Sequence, residues 1–150
     1  MYLIKESEAR LNQLAVSLIN KQVSFRVHYW GVDPCLTYNP VHRHSFFEIC
    51  YVLDGEGSYL ESRSEYSLKQ GSLFCSRPMI SHQICSVNGL YLIWVAFELD
   101  ELQSSPTAVE DYWDLAQIEV PVVYDGDVSS TASLWKSLLI PKEKKVCPCS

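Results

Sequence analysis

The order of apolar and polar positions predicts one short helix and then a change to strand-like alternation. Residues at steps of three and four give one apolar stripe of a helix: Leu11, Leu14, Ala15, Leu18 and Ile19. Ser7 is the expected N-cap of this helix. From Val23 to Trp30 the period is two, which is typical of a strand with one buried face. Pro34 and Pro40 then bracket a predicted loop.

Residues 46–124 contain a series of short apolar runs separated by turn residues. The predicted strands are Phe46–Leu53, Ser58–Leu60, Tyr66–Leu68, Ser72–Cys75, His82–Val87, Leu90–Glu98 and Ile118–Tyr124. Asp54–Gly57 and Asn88-Gly89 predict hairpins. Pro121 places the last strand at a sheet edge. Strands at this spacing, with no helix between most of them, predict a mainly all-β antiparallel barrel or sandwich.

Two further helices are expected after the main run of strands. Ser105-Pro106 indicates a short helix through Trp113, with a loop as the alternative. Asp127 is the expected cap of a second helix, which ends before Pro141. Its apolar face comprises Val128, Ala132, Trp135, Leu138 and Leu139. The predicted parts are a helix packed on the barrel (1–22), the barrel (23–125), an amphipathic helix (126–140) and a disordered tail (141–150).

Composition favours a globular protein of the cytoplasm. Of the 150 residues, 47% are hydrophobic and 20% are charged, which is ordinary for such a domain. The longest apolar stretch, Leu90–Phe97, is too short to cross a bilayer, and the first ten residues show no secretion signal. The six cysteines include no Cys-x-x-Cys pair, which favours reduced thiols over a disulfide scaffold. From the short apolar stretches and the N-terminal residues, we expect no contact with a membrane.

Three of the four histidines fall into one arrangement with an acid. In an extended strand, alternate side chains share a face, so His42, His44 and Glu48 are expected to point the same way. His82 follows on a strand that could pair beside the first. Imidazoles and a carboxylate that converge are ligands for zinc, iron, manganese or nickel. The alternatives are that these groups bind an organic ligand without metal, or that they are purely structural.

The spacing of these residues resembles the two motifs of the cupin family. The first motif is His-x-His, then Glu after three or four residues and Gly after six more, as in His42, His44, Glu48 and Gly55. The second runs from a Gly, through a Pro, to a His eleven positions after that Gly, as in Gly71 and His82. The positions that depart from the motifs are Leu36, Pro78, Met79 and Ser86.

The segments HRHSFFEICYVLDGEG (42–57) and GSLFCSRPMISH (71–82) further resemble the N-terminal domains of AraC-type transcription regulators. The resemblance implies a cupin-type jelly-roll barrel that binds a small effector, often a sugar. It also implies a helical dimerisation region after the barrel, which would begin with the helix near Asp127, and then helix-turn-helix units that bind DNA. No helix-turn-helix follows within the chain, so we expect a fragment or a shortened gene product.

These observations predict a sensing and homodimerisation domain that is not an enzyme. With twelve basic against eighteen acidic residues and a net charge of −6, the chain is expected to reach DNA only through a missing C-terminal domain. The alternative is a small metal-dependent cupin enzyme, an isomerase or a dioxygenase.

Five residues besides the candidate metal ligands also carry a functional or a structural prediction. Arg77 is either an anchor for an anionic or polyhydroxyl effector or part of a surface ion pair. Phe46 is either a wall of the pocket or core filling, and Trp30 and Trp94 are weaker candidates of the same kind. His28 is expected to have a structural or surface role.

Overall fold

Seven strands joined in one antiparallel sheet form the main part of the fold of the chain, whose computed structural model describes residues 2–139. The strands are β1 (Ser17–Ile19), β2 (Ser24–His42), β3 (Phe47–Glu61), β4 (Ser64–Lys69), β5 (Leu73–Ser76), β6 (His82–Leu99) and β7 (Val122–Val123). The helices are α1 (Tyr2–Leu14), α2 (Pro106–Ala116) and α3 (Ser130–Leu139), with single 3₁₀ turns at Glu101–Gln103 and Gly126–Val128. The predicted class, mainly β with a helix toward each end, is confirmed.

The sheet curls until its two halves face each other. Strand order is β1-β2-β6-β3-β5-β7, and β4 also pairs with β3. Phe74 of β5 pairs with Cys50 in the first half of β3, yet its ring lies 4.9 Å from that of Tyr59 in the second half. In a straight strand Cys50 and Tyr59 would be about 30 Å apart. The curled sheet therefore encloses the main apolar core, as the predicted cupin-type barrel requires.

Both predicted hairpins are wrong, because the strands continue through them as bulges. β3 runs through Asp54–Gly57 and β6 through Asn88-Gly89, each with a shift of register. Gly55 and Gly89 have φ values of +90° and +97°, which glycine adopts at little cost in turns and in bulges alike. A side chain on Gly55 would collide with the carbonyl oxygen of Gly89. This close approach bends both strands at the same level, and the bends curl the sheet.

The loop predicted between Pro34 and Pro40 is also wrong. β2 continues through Pro34 and Pro40, where a loop was expected, and its pairing with β6 is irregular there. Missing N–H groups are tolerated where a ladder is already interrupted. The strand predicted over 118–124 is reduced to β7, which lies at the sheet edge as expected. Pro121 contributes through its carbonyl oxygen, which accepts the N–H of Cys75 at 2.9 Å.

Helix α1 differs from its prediction at both ends. Ser7 lies inside the helix instead of capping it, and Leu18 and Ile19 are exposed in β1. The next turn begins at Asn20, whose side-chain oxygen accepts the N–H groups of Gln22 at 2.8 Å and Val23 at 2.9 Å. Such side-chain turns compete with helix, so the apolar stripe continues in sequence after the helix has ended.

Helix α1 covers the edge of β2 at residues 30–32, a stretch that pairs with β6 on one side and, among the described residues, with no strand on the other. The Asn12 side chain accepts the N–H of Trp30 at 2.9 Å and donates to its carbonyl at 2.8 Å. Glu8 accepts the N–H of Val32 at 3.2 Å, and the indole N–H of Trp30 donates to the carbonyl of Ala15 at 2.9 Å. Backbone groups at an open edge are thereby paired within the chain.

The helix expected after Ser105 is confirmed as α2. The Ser105 hydroxyl accepts the N–H of Ala108 at 3.2 Å, so this residue is the N-cap. Buried Tyr112 packs its ring against Phe47 of the sheet, with centroids 4.8 Å apart. Within residues 2–139, no helix has the length and hydropathy to span a bilayer.

Helix α3 lies on the outer face of the barrel. Ala132 and Leu139 pack with Tyr51 and Ile93 of the sheet. Asp127 does not cap this helix as predicted, because it belongs to the preceding 3₁₀ turn. Its carboxylate instead accepts hydrogen bonds from the Tyr51 hydroxyl and from Lys136 at 3.1 Å, which fastens α3 to the barrel. The predicted stop at Pro141 and the tail 141–150 lie outside the described residues.

Candidate functional site

Three histidines converge where β2 ends and β6 begins. His42 is the last residue of β2 and pairs across the sheet with His82, the first residue of β6. His44 lies in the link to β3. The ligand nitrogens of the three lie within 4.8 Å of one another, and the rings of His42 and His82 are 4.4 Å apart. Of the four residues predicted from the motifs, the three histidines therefore converge in the structure.

Each of these rings is oriented by a backbone carbonyl two residues away. A Nδ1 atom that meets a carbonyl oxygen carries the ring proton, which leaves the Nε2 lone pair free. Nε2 of His44 and Nε2 of His82 are buried and have no hydrogen-bond partner in the described part of the chain. The Nδ1 to oxygen distances are 2.7 Å (His42 to Pro40), 2.6 Å (His44 to Phe46) and 3.0 Å (His82 to Ile80).

Burial favours the neutral form of two of these imidazoles, those of His44 and His82. It lowers the pKa of His82 to about 4, against the opposing effect of the Ile80 carbonyl, and the nearby rings of His42 and His44 lower it further. The pKa of His44 is also lowered, mainly by burial. Neutral imidazole is the form that donates an electron pair to a metal or accepts a hydrogen bond.

Glu48 lies beside the three histidines but outside their group. The extended-strand argument that aligned it with them is wrong, because β2 ends at His42 and β3 begins only at Phe47. Glu48 is 7% exposed; one oxygen accepts the Tyr29 hydroxyl at 2.8 Å and the other accepts the Cys50 thiol at 3.7 Å. Burial and the charge of Glu48 raise the pKa of Tyr29, so the phenol keeps its proton.

A cavity of about 460 Å³ adjoins the cluster, and both His42 and the neighbouring Glu48 line it. Its volume is in the range of small-molecule sites, roughly 300–1,000 Å³. Three aromatic residues, Tyr29, Trp30 and Trp94, contribute to its lining. The weaker candidates Trp30 and Trp94 are thus on the cavity wall, whereas Tyr29 had no sequence signal that placed it there.

The positions of two cavity residues, Glu8 and Trp94, follow from helix docking and strand register. Glu8 lines it from α1, which only the docking of the helix on β2 could reveal. Trp94 packs over Gly31, where any side chain would collide with the indole. A glycine paired with a tryptophan across two strands is a usable signal once the register of β2 and β6 is known.

Phe46 and His28 form a stack beside the histidine cluster. The Phe46 ring lies between His44 and His28, with centroids 4.3 Å from each. Phe46 is not among the residues that line the cavity. His28 also approaches Glu98, with 3.2 Å between Nε2 and the carboxylate. The stack holds His44 from one side, and a ligand role for Phe46 stays a prediction.

Arg77 is engaged in an ion pair, which is buried instead of lying at the surface. Its guanidinium donates to both oxygens of Glu61, at 2.5 Å and 3.2 Å, and also to the carbonyl of Ile118. Glu61 is 4% exposed. Arg77 is not among the residues that line the cavity, and its role as an effector anchor stays a prediction.

The curled antiparallel sheet and its cavity define a ligand-binding barrel of the cupin type. Residues 24–139 match the family described as the AraC-like ligand binding domain. Because the match extends over more than half of the chain, the chain belongs to this family.

A curated relative and several solved structures are similar to the chain. The HTH-type transcriptional regulator YfiF of Bacillus subtilis (strain 168) is 41% identical over 136 residues, which are 91% of this chain and 43% of that protein. The chain therefore spans less than half the length of this relative. An RmlC-like cupin from Shewanella frigidimarina has 20% identity and a TM-score of 0.40 over 56% of this chain and 83% of that one. The Cnp3 cupin domain of Schizosaccharomyces pombe has 16% identity and a TM-score of 0.43 over 58% and 64%.

Proposed function

We propose that the barrel senses a small effector for a transcription regulator, and that the effector binds in the cavity beside the histidine cluster. The observation that carries this proposal is the pair of buried Nε2 atoms, of His44 and His82, that have no partner among residues 2–139. Leaving a buried polar atom unpaired costs about 1–3 kcal/mol. A ligand that supplies a donor or an electron-pair acceptor there recovers that free energy. Family membership and the similarity to a transcriptional regulator support the same function.

Calorimetric titration of the chain with a panel of monosaccharides and other small polar molecules tests this proposal. We expect saturable binding at one site, lost in His42→Ala because His42 belongs to both the cavity and the cluster. His28→Ala is the matched control, since it removes an imidazole outside both. Binding that survives His42→Ala would contradict this location.

We further propose that the three imidazoles hold a divalent transition metal. They fit such an ion: the two orphaned Nε2 atoms are buried, and every Nδ1 is held by a carbonyl, as ligating histidines usually are. Three nitrogen ligands suit zinc, nickel, iron or manganese. When bound, the ion would accept the electron pairs of the two unpaired Nε2 atoms and hold the three rings in one fixed arrangement. Elemental analysis should find one metal per chain, lost in His82→Ala; no metal in the wild-type chain would overturn this part.

A metal-dependent enzyme is the second candidate, favoured by the same three histidines. The sensing function has priority because the family is a ligand-binding family. The two differ in one measurement: a sensor releases its ligand unchanged, whereas an enzyme converts it in the presence of the metal. Chromatography of the ligand after overnight incubation with metal-loaded chain distinguishes them.

We propose that two copies associate through α3. Leu134 and Leu138 are 64% and 47% exposed, and residues four apart lie on one face of a helix. Sedimentation velocity should show a dimer, converted to a monomer by Leu134→Glu. Ser137→Glu places the same charge on an exposed position of the same helix, and a monomer in that variant would contradict the assignment.

DNA contact would come from a helix-turn-helix region outside these 150 residues, in the cytoplasm where transcription is controlled. The net charge of −6 supports this division of labour, since DNA binding depends chiefly on neutralising phosphates. A gel-shift assay of the chain with the upstream region of its own gene should show no complex. Sequence-specific retardation would overturn this part.

A further inference from the structure

We propose that the effector is a small organic cation, an amine or a quaternary ammonium compound that carries an apolar group. This inference rests on the proposed sensing function of the cavity and names the class of ligand. It replaces both the sugar and the anionic effector considered from the sequence.

The first argument is the charge of the lining. Glu8 and Glu48 are the acidic residues among those that line the cavity, and no lysine or arginine lines it. Neither carboxylate takes part in an ion pair within residues 2–139. Glu8 meets the backbone N–H of Val32, and Glu48 meets the hydroxyl of Tyr29 and the thiol of Cys50, which are all neutral groups.

Because Glu48 is buried, the lack of an ion pair to its carboxylate within residues 2–139 is informative. Glu48 is 7% exposed and Glu61 is 4% exposed, so the chain buries both carboxylates to a similar degree. Glu61 is neutralised by Arg77, as a buried charge generally must be. Glu48 has no such partner and faces a cavity. A cationic ligand would supply the missing charge.

The second argument is the aromatic part of the lining. Tyr29, Trp30 and Trp94 contribute three π systems to one small cavity. A cation is attracted to the face of an aromatic ring, most strongly to that of tryptophan. Leu36, Ile84 and Leu92 complete an apolar wall, which suits the hydrocarbon part of an amine.

Three probes of nearly equal size and different charge test the proposal with the full chain: benzylamine, benzyl alcohol and benzoate, with glucose as a neutral polyol. Binding is measured by calorimetry and by tryptophan fluorescence. We expect benzylamine to bind at least about tenfold more tightly than benzyl alcohol, and benzoate and glucose to bind more weakly still.

Glu8→Gln separates charge from shape, because glutamine keeps an oxygen for the Val32 N–H. This variant should bind benzylamine about tenfold more weakly and benzyl alcohol as before. Glu6→Gln makes the same change on the same helix at an exposed position and should leave both affinities unchanged.

Two results would overturn the inference in distinguishable ways. If glucose, benzyl alcohol or benzoate binds at least as tightly as benzylamine, and His42→Ala abolishes that binding, the sensing site stands and the cationic class is wrong. If none of the four probes nor any of the monosaccharides binds, both the class and the proposed sensing function fail.

Discussion

The Glu61–Arg77 ion pair and the three-histidine cluster both contain buried polar atoms, and Glu61 of β3 pairs directly with His82 of β6. In the ion pair, the carboxylate receives two hydrogen bonds and the guanidinium has a further carbonyl partner. In the cluster, two Nε2 atoms have no partner within residues 2–139. Neighbouring sites in the same barrel therefore differ in whether their polar atoms are satisfied.

This difference separates a structural role from a binding role. Most buried polar atoms in folded proteins are hydrogen-bonded, so an exception needs an explanation. Completing the ion pair within the chain stabilises the fold without any ligand. The incomplete cluster is stabilised only when something else enters. The two regions should consequently respond in opposite ways to mutation, pH and metal.

Breaking the complete pair should have the largest effect. Arg77→Ala leaves the buried Glu61 without its partner and is expected to lower the free energy of unfolding by about 3–5 kcal/mol. Urea denaturation measures this loss. Arg63→Ala removes an exposed arginine in the β3–β4 turn and should change stability by less than about 0.5 kcal/mol. A loss below about 1 kcal/mol in Arg77→Ala would contradict a structural role for the pair.

Acid should weaken the fold through the incomplete cluster. The pKa of His82 is about 4 in the folded chain against 6.5 when unfolded. Between these values only the unfolded chain binds the proton, so the free energy of unfolding falls as pH falls from 6.5 to 4. The contribution is about 3 kcal/mol. Urea denaturation at pH 7 and pH 4, in buffer with chelator, should show a smaller decrease for His82→Gln than for the wild type. Equal decreases would rule out His82 as the cause.

Zinc should act on the cluster in the opposite direction. At a free concentration one hundred times its dissociation constant, zinc is expected to stabilise the wild-type chain by about 2.7 kcal/mol. His44→Ala should lose this stabilisation, while His28→Ala should retain it. Thermal unfolding with and without zinc chloride measures the shift. The same stabilisation in His44→Ala would place the metal elsewhere in the chain.

Tyr29→Phe should have the smallest effect. It removes one hydrogen bond to Glu48 and is expected to cost about 1 kcal/mol, measured by urea denaturation. Tyr38→Phe removes the hydroxyl of a tyrosine that is 62% exposed and should be neutral. A neutral Tyr29→Phe would mean that the phenol does not hold the carboxylate.

The sequence predicted the part of the site that depends on spacing. His42, His44 and His82 occur at motif positions, and antiparallel pairing brings them together. Glu48 was placed wrongly because the alternation rule assumes an unbroken strand, whereas the chain leaves the sheet after His42. Glu8 could not be predicted at all, since its position depends on where α1 docks.

The fold shows the same division. Apolar alternation gave the all-β class, but the Asp54–Gly57 and Asn88-Gly89 segments have the chemistry of both a hairpin and a bulge. A glycine with positive φ serves either structure. Only the pairing of β3 with β6 on both sides of the bend decides between them, and such long-range pairing is not encoded in a local pattern.

The packing of α1 against β2 also limits how two copies of the chain can associate. Asn12 and Glu8 already occupy the backbone groups of Trp30 and Val32, so no foreign strand can add to the sheet along that stretch while the helix is in place. Two copies can therefore associate at this edge of β2 only through side chains. Displacing α1 would expose unpaired backbone groups of β2, to which another strand could bind. The packing of α1 on β2 thus protects the barrel against aggregation by strand addition.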